Sequence, residues 1–255
     1  MFNSFAVTLL FFLSIFLWRV SYAQYHWAAI SLAPLWFFVF TGLFQNTLDK
    51  RRCIMLSIVR KDSKLLWLMT GRVLSATSSL VISALSISGI ALYSLFASPL
   101  QITILLFVSA ASALTYSRLL KVFRVHINEL ALSWFSAAAT IVIISTVFVI
   151  PYALFEWSIV ERPGYIRLGF DEAMSTALAQ LPRRDDLINE AVSVFQLVDS
   201  TKLWLASRFT ETMTAGVLFA AQSALICLVI ATSSVGAASF YNHHIERRLD
   251  DRGTQ

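Results

Sequence analysis

The chain has 255 residues, 57% of them hydrophobic and only 14% charged, with a mean hydropathy of +0.70. Charged residues make up about a quarter of an ordinary soluble domain, so this composition excludes a soluble globular fold and calls for an all-α, polytopic membrane protein. The net charge of +5 is spread in clusters between apolar runs, which argues against a nucleic-acid groove and for loops held on the cytoplasmic side of a bilayer.

Cutting the chain at its charges leaves six apolar runs: Phe2 to Trp18, Ala28 to Phe44, Val73 to Phe96, Leu100 to Ser117, Leu130 to Tyr152 and Phe209 to Ala238. Each is long enough, or nearly so, for the roughly 17 to 25 residues that span a hydrocarbon core as a helix. The first run is followed by VSYAQ, which resembles a signal-peptide cleavage site after Ala23. No Lys or Arg precedes the run, so an uncleaved first helix is expected. In the second run, Pro34 marks a point where the helix can kink. Six of the seven tryptophans, Trp18, Trp27, Trp67, Trp134, Trp157 and Trp204, fall near span ends, where an indole prefers the headgroup level.

A basic segment from Asp49 to Arg72 follows the second run, and carries Lys50, Arg51, Arg52, Arg60, Lys61 and Lys64. With Arg118, Lys121 and Arg124 in the segment 118–129, and Arg247, Arg248 and Arg252 in the tail, it belongs on the cytoplasmic side, which also puts both termini there. Its stretch LDKRRCIMLSIVRKDSKLL can form a short helix with Ile54, Met55, Ile58 and Val59 on one side, suited to anionic headgroups or to an acidic soluble subunit such as an ATPase.

The third run carries a stripe of small residues: Ser75, Ser79, Ser83, Ser86 and Gly89 fall on one helical face. Similar ladders occur at Ser109, Ala113 and Ser117, at Ser133 and Ala137, and at Thr212, Gly216, Ala220 and Ala224. Hydroxyls could line a conduit. A route for ions or charged solutes, however, needs buried ionisable groups or broken helices, and no Asp, Glu, Lys or Arg lies deep in any run. The stripe is therefore read as a packing seam, where small residues let backbones approach, within the chain or with another subunit. Gln222, the only amide near a midplane, is read as an interhelical hydrogen bond.

Three regions follow: membrane helices one to five over 1–152, an extracytoplasmic helical insert over 153–208, and the last span with its tail over 209–255. In the insert, an apolar face at Phe170, Ala173, Met174, Ala177, Leu178 and Leu181 predicts one amphipathic helix. Leu187, Ile188, Ala191, Val194, Phe195 and Val198 predict the apolar face of a second, capped by Asp186. Packing within the protein is the expectation; flat membrane binding is disfavoured because the second helix has no Lys or Arg on its polar face. Arg208 and Glu211, three apart, can pair at the mouth of the last span.

Chemistry is thin. His126 with Glu129 and His243 with Glu246 have a spacing that could serve a metal, but they lie in basic juxtamembrane segments and read better as solvated pairs. No phosphate-binding, dinucleotide-binding or nucleophile-elbow motif occurs, and the two cysteines sit in different surroundings. No cofactor, metal or catalytic residue is assigned. The expectation is a non-enzymatic subunit of a secretion, conjugation or export assembly in a bacterial inner membrane. Its partners would be membrane lipid and other membrane subunits, a homo-oligomer included. The alternative is a permease or channel subunit coupled to a cytoplasmic ATPase.

Overall fold

The computed structural model describes residues 2–58, 71–159, 169–179, 187–208 and 212–243. All regular structure among them is helical: α1 (Phe2–Tyr22), a 3-10 turn (Ala28–Leu32), α2 (Ala33–Ile58), α3 (Arg72–Phe96), α4 (Pro99–Phe123), α5 (Glu129–Ile159), α6 (Phe170–Ala179), α7 (Leu187–Arg208) and α8 (Thr212–Tyr241). Six of these helices are long and apolar enough to cross a membrane, the architecture of a multi-pass membrane protein.

The helices outrun the apolar runs that announced them. α2 continues past Phe44 to Ile58, so Lys50, Arg51 and Arg52 ride on an extension of the span rather than on a separate loop helix. α5 likewise runs to Ile159 through Pro151, past the expected start of the insert at Ala153. Polar residues end an apolar run without ending a helix, because the bonds that hold a helix run between backbone groups four residues apart and do not depend on side-chain polarity. Pro34 sits in the first turn of α2, where its missing N–H costs nothing, and so does not kink a span centre.

Two junctions show why the chain turns where it does. Gly71 precedes α3 in the left-handed region at φ 54°, a conformation that needs no Cβ. At Ser98 a capping box opens α4: the serine hydroxyl accepts from the Gln101 backbone N–H, Gln101 Oε1 accepts from the Ser98 N–H, and Pro99 takes the first helical position.

α8 is the axis of the bundle. It packs against α1, α2, α3, α4 and α5, and every residue from Val235 to Ser239 is buried. Its small residues there, Ser233, Ser234, Gly236, Ala237, Ala238 and Ser239, explain how one helix can have neighbours on all sides. In contrast α5 shows much of its surface, with Val142, Val147, Ile150 and Leu154 exposed as lipid-facing residues are.

Neighbour contacts fix the levels within the bundle. Trp18 Nε1 in α1 donates to the Ala91 carbonyl of α3 at 3.0 Å, so Trp18 is an interior packing residue instead of the headgroup anchor its position suggested. Further along α3, Gly89 lies beside Val229 of α8. Tyr22, Phe96 and Gln222 therefore reach the same end, called here the insert end; the other, where Lys50 to Arg52 and Lys121 lie, is the basic end. α7 rests on the insert end through Asn189, which accepts from the Tyr22 hydroxyl at 3.5 Å, and through Phe195, which stacks on Phe96 at 6.2 Å. α6 packs antiparallel on α7, with Phe170 against Trp204 and Thr201 donating to Met174 Sδ.

The face that α7 turns to the bundle differs from the expected one. Val192, Gln196 and Ser200 are buried and Ile188 and Phe195 half-buried, while Ala191, Val194 and Val198 are exposed. α6 follows expectation more closely, burying Ala173, Met174 and Ala177, though Leu178 and Phe170 remain exposed.

Candidate functional site

The serine stripe of α3 is enclosed by the chain itself. Ser75, Ser79, Ser83 and Ser86 are exposed by 0%, 1%, 0% and 5%, whereas Leu80, Val81, Ile82 and Leu85 on the rest of the helix are exposed. α3 packs against α2 and α8, so the stripe is filled from within the same chain. Ser79 Oγ donates to Thr47 Oγ1 of α2 at 3.3 Å, and Ser83 Oγ donates back to the Leu80 carbonyl at 3.1 Å. Gly89 is only half-buried, at ordinary van der Waals distance from Val229.

The closest backbone approach lies elsewhere, at Gly42 of α2 and Gly236 of α8. A Cβ built on Gly42 would overlap the Gly236 carbonyl oxygen and stand 3.0 Å from the Phe240 nitrogen; one on Gly236 would stand 3.0 Å from the Val39 carbonyl oxygen. The small residues singled out on α8 from its sequence lie toward the other end. Ala220 is half-buried, and the surroundings of Gly216 fall outside the described residues. A signal for the true crossing was present, since Gly42 is the only glycine in the second apolar run. Its partner, 194 residues further along the chain, could not be read without tertiary structure.

One helical turn from this crossing, toward the basic end, four helices meet through a buried polar cluster. Asn46 Oδ1 of α2 accepts from Ser133 Oγ of α5 at 2.6 Å and from Ser239 Oγ of α8 at 2.9 Å. Tyr116 of α4 shares a hydrogen bond with Ser133 at 3.2 Å, and all four residues are buried. Asn46 Nδ2 is enclosed without a partner in the chain. At the mouth of the cluster, one turn along each helix, His243 Nε2 lies 3.6 Å from Asp49 Oδ2, both partly exposed. Another hydroxyl pair, Ser109 and Ser234, ties α4 to α8 at 2.9 Å. Sequence reading missed Asn46 because it took Gln45 and Asn46 as the polar exit of a span that in fact continues.

The remaining singled-out residues scatter. Gln222 Nε2 donates to Asp199 Oδ1 of α7 at 3.3 Å, so its interhelical bond is to the insert at the bundle end and not to another span at midplane. Arg208 is the last residue of α7, and Glu211, its expected partner, lies outside the described residues. Lys50 is exposed, with Nζ 5.8 Å from the Trp134 ring centroid, a weak cation–π contact; Arg51 and Arg52 are half-buried on α2. Arg60, Lys61 and Lys64 lie outside the described residues, as does Glu246; His126 is exposed. Among the described residues no three His, Cys, Asp or Glu side chains converge as metal ligands would.

The site the geometry offers is thus a packed, hydroxyl-rich half-bundle with the partly exposed Asp49–His243 pair on its basic-end side. Comparison with family models, curated proteins and solved structures finds no match.

Proposed function

We propose that the chain is a non-enzymatic, multi-pass subunit of a larger assembly in a bacterial cytoplasmic membrane, such as a secretion, conjugation or export apparatus. In this reading the basic end and both termini are cytoplasmic, in keeping with the clustering of Lys and Arg. The observation that carries the reading is the enclosure of the serine stripe. The serine face of α3, which could have lined a conduit, is occupied by α2 and α8; Ser79 bonds across to Thr47 and Ser83 back to its own helix, while the buried Ser75 hydroxyl has no partner among the described residues. A body packed in this way is suited to holding other subunits in place. Native mass spectrometry from mild detergent, combined with photo-cross-linking in whole membranes, tests it. A defined complex with other membrane proteins at fixed stoichiometry is expected; a solitary chain that carries solute flux in vesicles overturns it.

A second reading, a permease subunit served by a cytoplasmic ATPase, is favoured by one observation. Asp49 and His243, both partly exposed, lie one turn beyond the Asn46 cluster toward the basic end, and Asn46 Nδ2 retains hydrogen-bonding capacity. Uptake that requires an ATPase partner and is abolished by Asn46→Leu would select this reading over the first.

A further inference from the structure

Helix α7 is inside out by the standard of a water-soluble helix. It buries Gln196 and Ser200 with Val192, and directs Asn189 and Asp199 to Tyr22 and Gln222, yet leaves Val194 and Val198 exposed by 61% and 64%. In water the opposite arrangement is favoured, because apolar surface gains by leaving the solvent. In lipid, polar groups turn to the protein and apolar groups outward.

Geometry says which way the apolar flank points. One side of α7 lies on the bundle, through Asn189, Phe195 and Asp199, and another bears α6, through Thr201 and Trp204. At roughly 3.6 residues per turn, Ala191, Val194 and Val198 occupy the flank left between those two sides. The flank therefore looks sideways, with bundle on one side and α6 on the other. Its level is that of Tyr22, Phe96 and Gln222, where the spans α1 and α3 end. Phe96, stacked on Phe195, is itself exposed and continues the apolar surface of α3 up to α7.

We infer that Ala191, Val194 and Val198 of α7 bed in the phospholipid leaflet at the insert end, which makes α7 an interfacial crossbar laid over the ends of α1, α3 and α8. Absence of Lys and Arg from its polar face, a reason to disfavour membrane contact for a free amphipathic helix, does not apply. On that face Asn189, Ser193, Gln196 and Asp199 are half-buried or buried, Glu190 being exposed, and its contacts are with protein rather than headgroups. The inference stands whether the chain is a scaffold or a permease.

The test uses the full chain with Cys53→Ser, leaving the buried Cys227 in place. Nitroxide labels are placed singly through Val194→Cys or Val198→Cys, and the protein is reconstituted in phosphatidylcholine–phosphatidylglycerol vesicles. Labels at the exposed residues Val147 of α5 and Asp171 of α6 serve as lipid and water references. Power saturation with oxygen and with a water-soluble nickel chelate reads the surroundings. Oxygen collisions several-fold above nickel collisions at both α7 sites, matching Val147→Cys, are expected. A nickel excess like that at Asp171→Cys would place the flank in water, and suppression of both collisions would place it against protein, a second copy included; either overturns the inference. Because both valines are exposed, their replacement leaves the packing intact, and a matching pair of labels keeps the result from resting on one variant.

Discussion

Toward the basic end the backbones of α2 and α8 close on each other at Gly42 and Gly236, with hydroxyls and an amide beside them and with the rings of Phe38 on Phe240 and Phe123 on Phe135 around that centre; at the insert end the helices touch through rings. There Trp18 packs with Tyr22 and bonds to α3, the Tyr93 and Tyr152 hydroxyls meet, and Phe96 stacks on Phe195. Lipid gives no hydrophobic push between helices, so each end must gain its cohesion from contact and hydrogen bonding. Close backbones do this with short side chains, and separated backbones with long ones. The two halves should therefore fail in opposite ways: one when atoms are added, the other when atoms are removed.

The largest effects come from crossing that rule. Gly42→Val puts side-chain atoms where the Gly236 carbonyl lies and forces α2 from α8, a loss of about 3 kcal/mol or more that overpacking produces when no flexible neighbour can yield. Its counterpart Trp18→Ala empties a buried ring site and removes the indole's bond to the Ala91 carbonyl, which keeps the Ser94 hydroxyl as a donor, at a similar cost of about 3 kcal/mol. Detergent-denaturation midpoints measure both. If Gly42→Val unfolded at the wild-type midpoint, the close crossing would not exist.

A smaller effect is expected from Asn46→Leu, which deprives Ser133 and Ser239 of a shared acceptor; about 1 to 2 kcal/mol is expected from the same measurement. A matched pair on α3 separates the inward face from the outward one. Ser83→Leu overpacks the seam by about 1 to 3 kcal/mol, whereas Ser88→Leu, on an exposed position, should leave the midpoint unchanged. Equal effects of the two would mean that the stripe is not the buried side. Smallest of all is Ser79→Ala, about 0.6 kcal/mol for a single interhelical hydrogen bond in a membrane bundle.

How much of this was legible follows the same division. Spans could be read, because a stretch of 20 or so apolar residues declares itself whatever it touches. The α3 stripe could be read as well: four serines at helical spacing, with Leu80, Val81, Ile82 and Leu85 around them, mark the side that is not lipid. What periodicity cannot supply is the identity of the solvent. The valines of α7 were correctly seen as one apolar flank, but the rule that sends such a flank inward presumes water outside, and Ala191, Val194 and Val198 turned outward. Asn46 was hidden for a related reason, since an amide next to a glutamine looks like a span end until the helix is seen to continue to Ile58. The pairing of Gly42 with Gly236 joins residues from distant parts of the chain, and a single glycine carries no address.

The axis of the bundle is also the last of its six spans in chain order. Ribosomes add roughly 5 to 20 residues per second, so α1 to α5 dwell in the bilayer for several seconds or more before the helix they all embrace is made. During that interval the serine faces of α3, α4 and α5 have α2 and one another as neighbours but lack α8, the partner of Ser109 and of the Asn46 cluster. Biogenesis must shelter them, which makes a chain halted before α8 a natural target for membrane quality control.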